Sequence, residues 1–172
     1  MAKAYNGLME ILGDPRVAGR ELFGYARVSS GKQAKGHSLD RQVDHLRRLG
    51  VPEDRIYADV LSGTKNARVT TSGLARLRKD LTPGAALAIE CEERWMRDAE
   101  KALEFVRFCR EQDIVLLSWD DMLRRFTVLD VTTVAGFNAF GQMALAAEVT
   151  SWAMRDRRER YETYRYEYGL PA

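Results

Sequence analysis

Leu22-Phe23-Gly24-Tyr25-Ala26-Arg27-Val28, continuing directly into Ser29-Ser30-Gly31-Lys32-Gln33-Ala34-Lys35-Gly36-His37, is an apolar run that stops at a polar, glycine-bearing stretch. It reads as a short buried strand, Leu22 to Val28, feeding a loop over Ser29 to His37. Side chains along a strand alternate with period two, so Arg27 shares a face with Ser29 at the mouth of that strand.

Downstream the pattern repeats. Ser38 caps a helix in which Leu39, Val43, Leu46 and Leu49 recur at helical spacing, Asp40 suits the first turn, and Gly50 followed by Pro52 ends it. Ile56, Ala58 and Val60 alternate as a second strand, Ser62 to Ser72 is a loop, and Leu74, Leu77 and Leu81 form the apolar edge of a second helix. Ala86 to Ile89 is a third strand, Asp98 to Gln112 a third helix with Leu103, Val106 and Cys109 inward, and Ile114 to Trp119 a fourth strand. Regular alternation of this kind predicts an α/β domain, a mostly parallel sheet covered by helices, with ligands at the carboxyl ends of the strands. Ser29 stands at one such end.

Upstream, residues 1–21 contain Gly7, Gly13, Asp14, Pro15 and Gly19, which leaves room for one short helix around Leu8 to Leu12 and reads as an arm. The sheet domain spans 22–130. Residues 131–168 hold no proline and no strand-like alternation from about Thr132 to Tyr168, so they predict one helix of about 36 residues, near 54 Å long; residues 169–172 are a tail. Phe137, Phe140, Ala144, Ala147, Ser151 and Met154 fall alternately three and four apart, with Leu145 and Trp152 beside them, which makes a broad apolar seam. Two arrangements satisfy it: a second subunit packed against Phe137, Phe140, Leu145, Trp152 and Met154, or the helix folded back on its own sheet.

Composition excludes several classes. The 172 residues are 45% hydrophobic and 30% charged, as in a globular domain with a real core. There is no apolar run of bilayer length and no basic-then-hydrophobic leader, so the expectation is a cytoplasmic protein with no membrane partner. Cys91 and Cys109 lack metal-binding spacing and are expected as buried free thiols. His37 and His45 are the only histidines, too few for a histidine metal cage. A net charge of +2 is no argument for nucleic acid by itself.

The placement of the arginines is more informative. Arg27 precedes Ser29, Arg68 falls in the loop after the second strand, and Arg94 and Arg97 follow the third. Attack on a phosphodiester raises negative charge on the non-bridging oxygens, and guanidinium forks match those oxygens while staying charged at any working pH. A weakly nucleophilic serine among such cations fits phosphoryl transfer without a metal or other cofactor. Ala26 to Gln33 is one residue short of a phosphate-binding loop, but the hydroxyl that would hold Mg²⁺ is missing and the next helix is expected near Ser38 rather than at Lys32. Taken singly these residues have plainer readings: Ser29 as a turn residue, Tyr25 as a packed strand residue, Gln33 and Gln42 as solvated positions, and Arg94 and Arg97 as a helix edge paired with Glu93 and Asp98.

Together they form an ordered set. Tyr25-Ala26-Arg27-Val28-Ser29 with Gln33 resembles the nucleophile motif of the serine recombinases, the resolvase and invertase family, and Ser38-Leu39-Asp40-Arg41-Gln42 resembles the helix start that carries a second active-site glutamine. Asp59 to Gly63, with Ser62, resembles the segment after the second strand; Arg68 falls where the family has an active-site arginine; Glu93-Arg94-Trp95-Met96-Arg97-Asp98 resembles its Asp-Arg-Leu-x-Arg motif. The resemblance implies a resolvase-like fold in which Ser29 attacks a DNA phosphate and forms a 5′-phosphoserine link. It implies that Arg27, Arg94, Arg97 and Arg68 clamp the phosphate, that Glu93 positions arginines or manages protons, and that Tyr25, Gln33, Gln42 and Ser62 support them by hydrogen bonds. Strand exchange inside a tetramer built from dimers, joined through the long helix, is implied as well.

This chain departs from the family pattern in several places. Glu93 replaces the usual Asp, Glu92 replaces a hydrophobic residue, Val69 to Thr71 is an insertion, and Thr150-Ser151 replaces a Glu-Arg pair. No stretch before Ala172 resembles the helix-turn-helix or zinc-ribbon domain of the family. The expectation is therefore either a piece of a longer protein or one that reaches DNA through a separate domain or protein. A resolvase-fold protein that no longer cuts, serving as a DNA-binding or oligomerisation partner, is the alternative from another class. The stretch from Arg155 to Tyr168 mixes five arginines, four acids and four tyrosines. Arg155, Arg157, Arg158 and Arg160 could contact DNA phosphates, or the stretch could be a solvated helix end.

Overall fold

A computed structural model describes residues 10–29, 39–61, 72–90, 99–120 and 122–168. Strand β1 (Leu22–Ser29) is followed by α1 (Leu39–Arg48), a 3-10 turn (Glu53–Arg55), β2 (Ile56–Leu61), α2 (Gly73–Asp80), β3 (Ala86–Ile89), α3 (Ala99–Glu111), β4 (Val115–Asp120), β5 (Arg125–Leu129) and α4 (Val134–Glu167). The five strands form one sheet in the order β2-β1-β3-β4-β5. The first four are parallel and β5 is antiparallel to β4.

Parallel strands are covered on both faces, so their sequences are apolar on both, and here the two faces differ in residue size. Phe23, Tyr25, Tyr57, Leu87, Ile89 and Leu116 lie on one side, where they pack with α2, α3 and the start of α4. Ala26, Ala86, Ala88, Val115 and Leu117 lie on the other, with Leu46 of α1 and Leu49 just after it. Small residues let α1 approach closely: a Cβ on Gly24 would stand 3.0 Å from a Leu46 methyl.

Residues 10–21, the described part of the expected N-terminal arm, are not free. Ile11 and Val17 are buried in the α1-side core, at 8% and 2% exposure, so this segment covers part of that face. Strand β5 is the element that the sequence reading missed. Asp120 Oδ1 accepts from the N–H groups of Met122 and Leu123, each at 2.8 Å, which turns the chain, and Arg124 adopts φ 54°. Only Phe126 of β5 is buried, as expected of an edge strand that shows little alternation.

The long helix forms as expected. Thr133 caps it, its hydroxyl accepting from the Gly136 N–H at 3.1 Å, and it runs for 34 residues. The expected seam, however, divides. Phe140 (2% exposed) and Ala144 are buried in this chain's own core and Phe137 packs against it under the Arg110 guanidinium, so Phe137 and Phe140 are not part of a face open to a second subunit. The physical reason is the third helix: α3 offers Ala102, Phe105, Val106 and Cys109 to the same core. Beyond Ala144 the helix stands clear, with Leu145, Val149 and Trp152 all more than half exposed; Met154 lies in this part of the helix. Among the described residues no helix is long and apolar enough to cross a membrane.

Candidate active site

The strand order places β1 between β2 and β3, so the chain leaves it toward opposite sides of the sheet, and the crevice at such a reversal is where open α/β sheets bind ligands. Ser29 is the last residue of β1, at the carboxyl end. The local backbone explains how the end is held open. β1 pairs with β3 only as far as Tyr25 opposite Ile89, the Tyr25 carbonyl accepting from Glu90 N–H at 3.3 Å. In a parallel strand the N–H two residues on faces the same side, so the Arg27 N–H points to where β3 has ended. Gln42 of α1 fills the vacancy: its Oε1 accepts from the Arg27 N–H at 2.9 Å, and the residue is 2% exposed. The sequence reading of Gln42 as an active-site support falls on a buried brace of the backbone two residues before Ser29.

Tyr25 is 1% exposed, and its hydroxyl donates to Asp59 Oδ2 at 2.8 Å. Asp59 stands opposite Arg27 in the register of β1 and β2. Its carboxylate also accepts from the N–H groups of Gly73 (2.7 Å) and Leu74 (3.0 Å), so it closes the first turn of α2, where a negative charge is favoured. Asp59 is thus engaged by Tyr25 and α2. Among the described residues Arg27 makes no ion pair, and its buried Nε has no hydrogen-bond partner. A partly buried guanidinium with an unsatisfied donor is costly unless an acceptor comes to it.

The other residues expected here divide by position. Gln33 follows β1 in sequence, Ser62 and Arg68 follow β2, and Glu93, Arg94 and Arg97 follow β3, three parallel strands that end at one edge of the sheet. Gln33, Ser62, Arg68, Glu93, Arg94 and Arg97 themselves lie outside the described residues. Arg155, Arg157, Arg158 and Arg160 lie in α4. Arg158 pairs with Glu162 at 2.9 Å and Arg160 with Asp156 at 2.5 Å, both exposed pairs one turn apart. Such pairs contribute little to stability and exchange readily for other anions. Among the described residues no group of carboxylates, histidines and cysteines could hold a metal.

Sequence reasoning gave no role to Asp59, His45, Glu90 or Trp119. The available signals were Asp59 as the one carboxylate inside an otherwise apolar strand, and Glu90 as an acid directly after a fully apolar one.

Residues 22–163 match the family model described as Resolvase, N terminal domain. The chain belongs to the resolvase family. Transposon Tn3 resolvase of Escherichia coli is 32% identical over 100 residues, 58% of this chain and 50% of that protein. The R46 site-specific recombinase of Escherichia coli is 33% identical over 100 residues, 58% of this chain and 49% of the relative. A resolvase of Clostridium perfringens (strain 13 / Type A) is 31% identical over 119 residues, 69% and 57% of the respective chains. The chain spans about half the length of the curated relatives it matches. The resolvase domain therefore accounts for the sheet, the first three helices and most of α4.

Proposed function

We infer that this resolvase domain is the catalytic part of a site-specific DNA recombinase in which Ser29 is the nucleophile. The observation that carries this reading is Arg27: a guanidinium whose buried Nε has no partner among the described residues, at the carboxyl edge of the sheet, on a strand that Gln42 braces, two residues before a serine. Structural arginines are paired; one left unpaired at a ligand-binding edge suits a phosphate oxygen. In the proposed step, Ser29 Oγ attacks a DNA phosphorus, the bond from phosphorus to O3′ breaks, and the 3′ oxygen leaves with a proton as a free hydroxyl. The 5′ phosphate stays on Ser29 as a diester until a 3′-hydroxyl reverses the step. Arg27, Arg94, Arg97 and Arg68 stabilise the charge that gathers on the phosphate, Glu93 orders those guanidiniums, and Tyr25, Gln33, Gln42 and Ser62 hold the frame. No metal or nucleotide is required. The uncovered part of α4, with Leu145, Trp152 and Met154, serves self-association into a dimer and then a tetramer, and Arg155 to Arg160 lie along the DNA backbone.

The test is a covalent adduct. The protein is incubated with end-labelled duplexes of randomised sequence, some nicked so that a cleaved strand escapes, and the products are run on a denaturing gel. Wild type is expected to carry label at Ser29, identified by peptide mass spectrometry, with or without chelator. Ser29→Ala is expected to carry none while melting at the same temperature and retaining DNA equally. Undiminished adduct in Ser29→Ala would reject Ser29, and adduct that requires Mg²⁺ would revive a metal-dependent phosphate loop. DNA retention by wild type with no adduct on any duplex would favour the non-cutting reading.

A further inference from the structure

His45, Glu90 and Trp119 come from three different elements and meet at the carboxyl edge of the sheet, on the α1 side. His45 is on α1, one turn beyond Gln42; Glu90 is the residue that follows β3; Trp119 is near the end of β4. His45 Nδ1 faces Glu90 Oε1 in a close hydrogen-bonded contact, and the imidazole stacks on the Trp119 ring at 4.0 Å between centroids and 19° between planes. The side chains of His45 and Glu90 are 13% and 3% exposed. Trp119 is held in turn by an edge contact to Phe126 of β5, at 5.2 Å.

A buried carboxylate and a buried imidazole are each unfavourable alone, so their pairing needs a reason beyond stability. Their place in the chain supplies one. Glu90 is where the segment bearing Glu93, Arg94 and Arg97 leaves the sheet, and α1 is the helix whose Gln42 holds the Arg27 backbone. One contact thereby ties the helix that braces the start of the clamp to the point from which the rest of the clamp departs.

We propose that His45, Glu90 and Trp119 form a positioning clasp for the active site, fixing the exit of the segment that carries Glu93, Arg94 and Arg97 relative to Arg27 and Ser29. This rests on the recombinase reading above. The clasp touches no substrate; it acts through the arginines. Trp119 stacks on the imidazole, the imidazole holds the Glu90 carboxylate, and Glu90 directly precedes the segment in sequence. Reactive groups misplaced by as little as about 1 Å can slow a reaction about a hundredfold, so a contact at the root of the segment has leverage on rate without contributing to DNA affinity.

Titration of His45 gives an independent view of the contact. Burial, and after it the Arg41 guanidinium, holds the imidazole below its ordinary value; Arg48 on the same helix and Arg124 in the β4–β5 turn act the same way, and Asp44 opposes them. Glu90 is the carboxylate in direct contact, so removing it should depress His45 further. The chain has two histidines, which makes the ring signals assignable with a His37→Gln variant.

The experiment compares wild type, Glu90→Ala, Glu90→Gln, His45→Ala and the double alanine variant in three measurements: His45 titration by NMR, thermal melting, and the single-turnover rate of adduct formation on the same randomised duplexes. Glu90→Ala is expected to shift His45 downward and slow adduct formation by about tenfold to a hundredfold at unchanged DNA retention. Glu90→Gln, which keeps an acceptor for Nδ1–H, is expected to recover most of the rate, and the double variant to be no slower than the worse single one, because both break one contact. Unmoved His45 titration in Glu90→Ala would overturn the contact. A Glu90→Ala variant that still melts as wild type and cleaves at the wild-type rate would overturn the clasp alone. If wild type forms no adduct while His45 responds to Glu90, the recombinase reading fails and takes the clasp's role with it.

Discussion

Arg27 carries two separate jobs in one residue, and they separate cleanly by atom. Its backbone N–H belongs to the fold, satisfied by Gln42 where β3 has ended; its guanidinium, with Nε buried and unsatisfied among the described residues, is the part proposed to meet the phosphate. Replacing it by Lys leaves the first job untouched. Arg27→Lys is therefore expected to melt like wild type while forming adduct about a hundredfold more slowly, because an ammonium cannot reproduce a two-point fork on a phosphate. Wild-type adduct rates in Arg27→Lys would mean that the guanidinium does not touch the reacting phosphate. This residue could be singled out in the sequence because its type and its spacing from Ser29 are both visible there. Asp59 and Glu90 were not: a carboxylate in a strand says nothing about which neighbouring strand, helix N-terminus or imidazole will receive it until the register is known.

At the scale of elements, α2 shows how tightly the edge of the site is built. Its first turn lies so close to β2 that a Cβ on Gly73 would stand 2.5 Å from the Ala58 carbonyl oxygen, and its first two N–H groups are received by Asp59, the same carboxylate that accepts from Tyr25. At the far end, the Asp80 side chain accepts from the Tyr57 hydroxyl at 2.8 Å. Backbone cannot give way as a side chain can, so Gly73→Ala is expected to lift the start of α2, break the Asp59 contacts and destabilise the domain by about 1 to 3 kcal/mol. A denaturant midpoint equal to wild type would show that α2 can shift without cost. The four parallel strands and the helices between them were readable from short apolar runs and from helical periodicity. β5 was not, because an edge strand that buries only Phe126 leaves almost no alternation to read.

For the whole molecule, the decisive feature is the division of α4. Its first turns belong to the core of this chain, whereas Leu145, Val149, Trp152 and Tyr161 further along are exposed. Two substitutions on one helix should therefore fail in different ways. Phe140→Asp is expected to cost at least about 3 kcal/mol of folding stability, since it removes a buried ring and buries a carboxylate. Trp152→Asp is expected to leave the melting temperature of the domain unchanged and to weaken self-association, read by light scattering across a wide concentration range. Monomeric wild type at every concentration would remove self-association from the role of α4, and a Phe140→Asp variant that melts as wild type would contradict the packing against α3. The sequence showed that this helix exists and is apolar along one seam. It could not divide that seam, because periodicity records which side of a helix is apolar and not what lies beside each turn.

Because α4 is continuous from Val134 to Glu167, its anchored and uncovered parts form a single lever. From Leu145 to its end the uncovered arm is about 34 Å long, so a tilt of about 10° at the anchored turns moves its tip by about 6 Å. The converse also holds: a force applied at the tip becomes a torque on the helix turn that Phe140 fixes to the core, with the sheet as fulcrum.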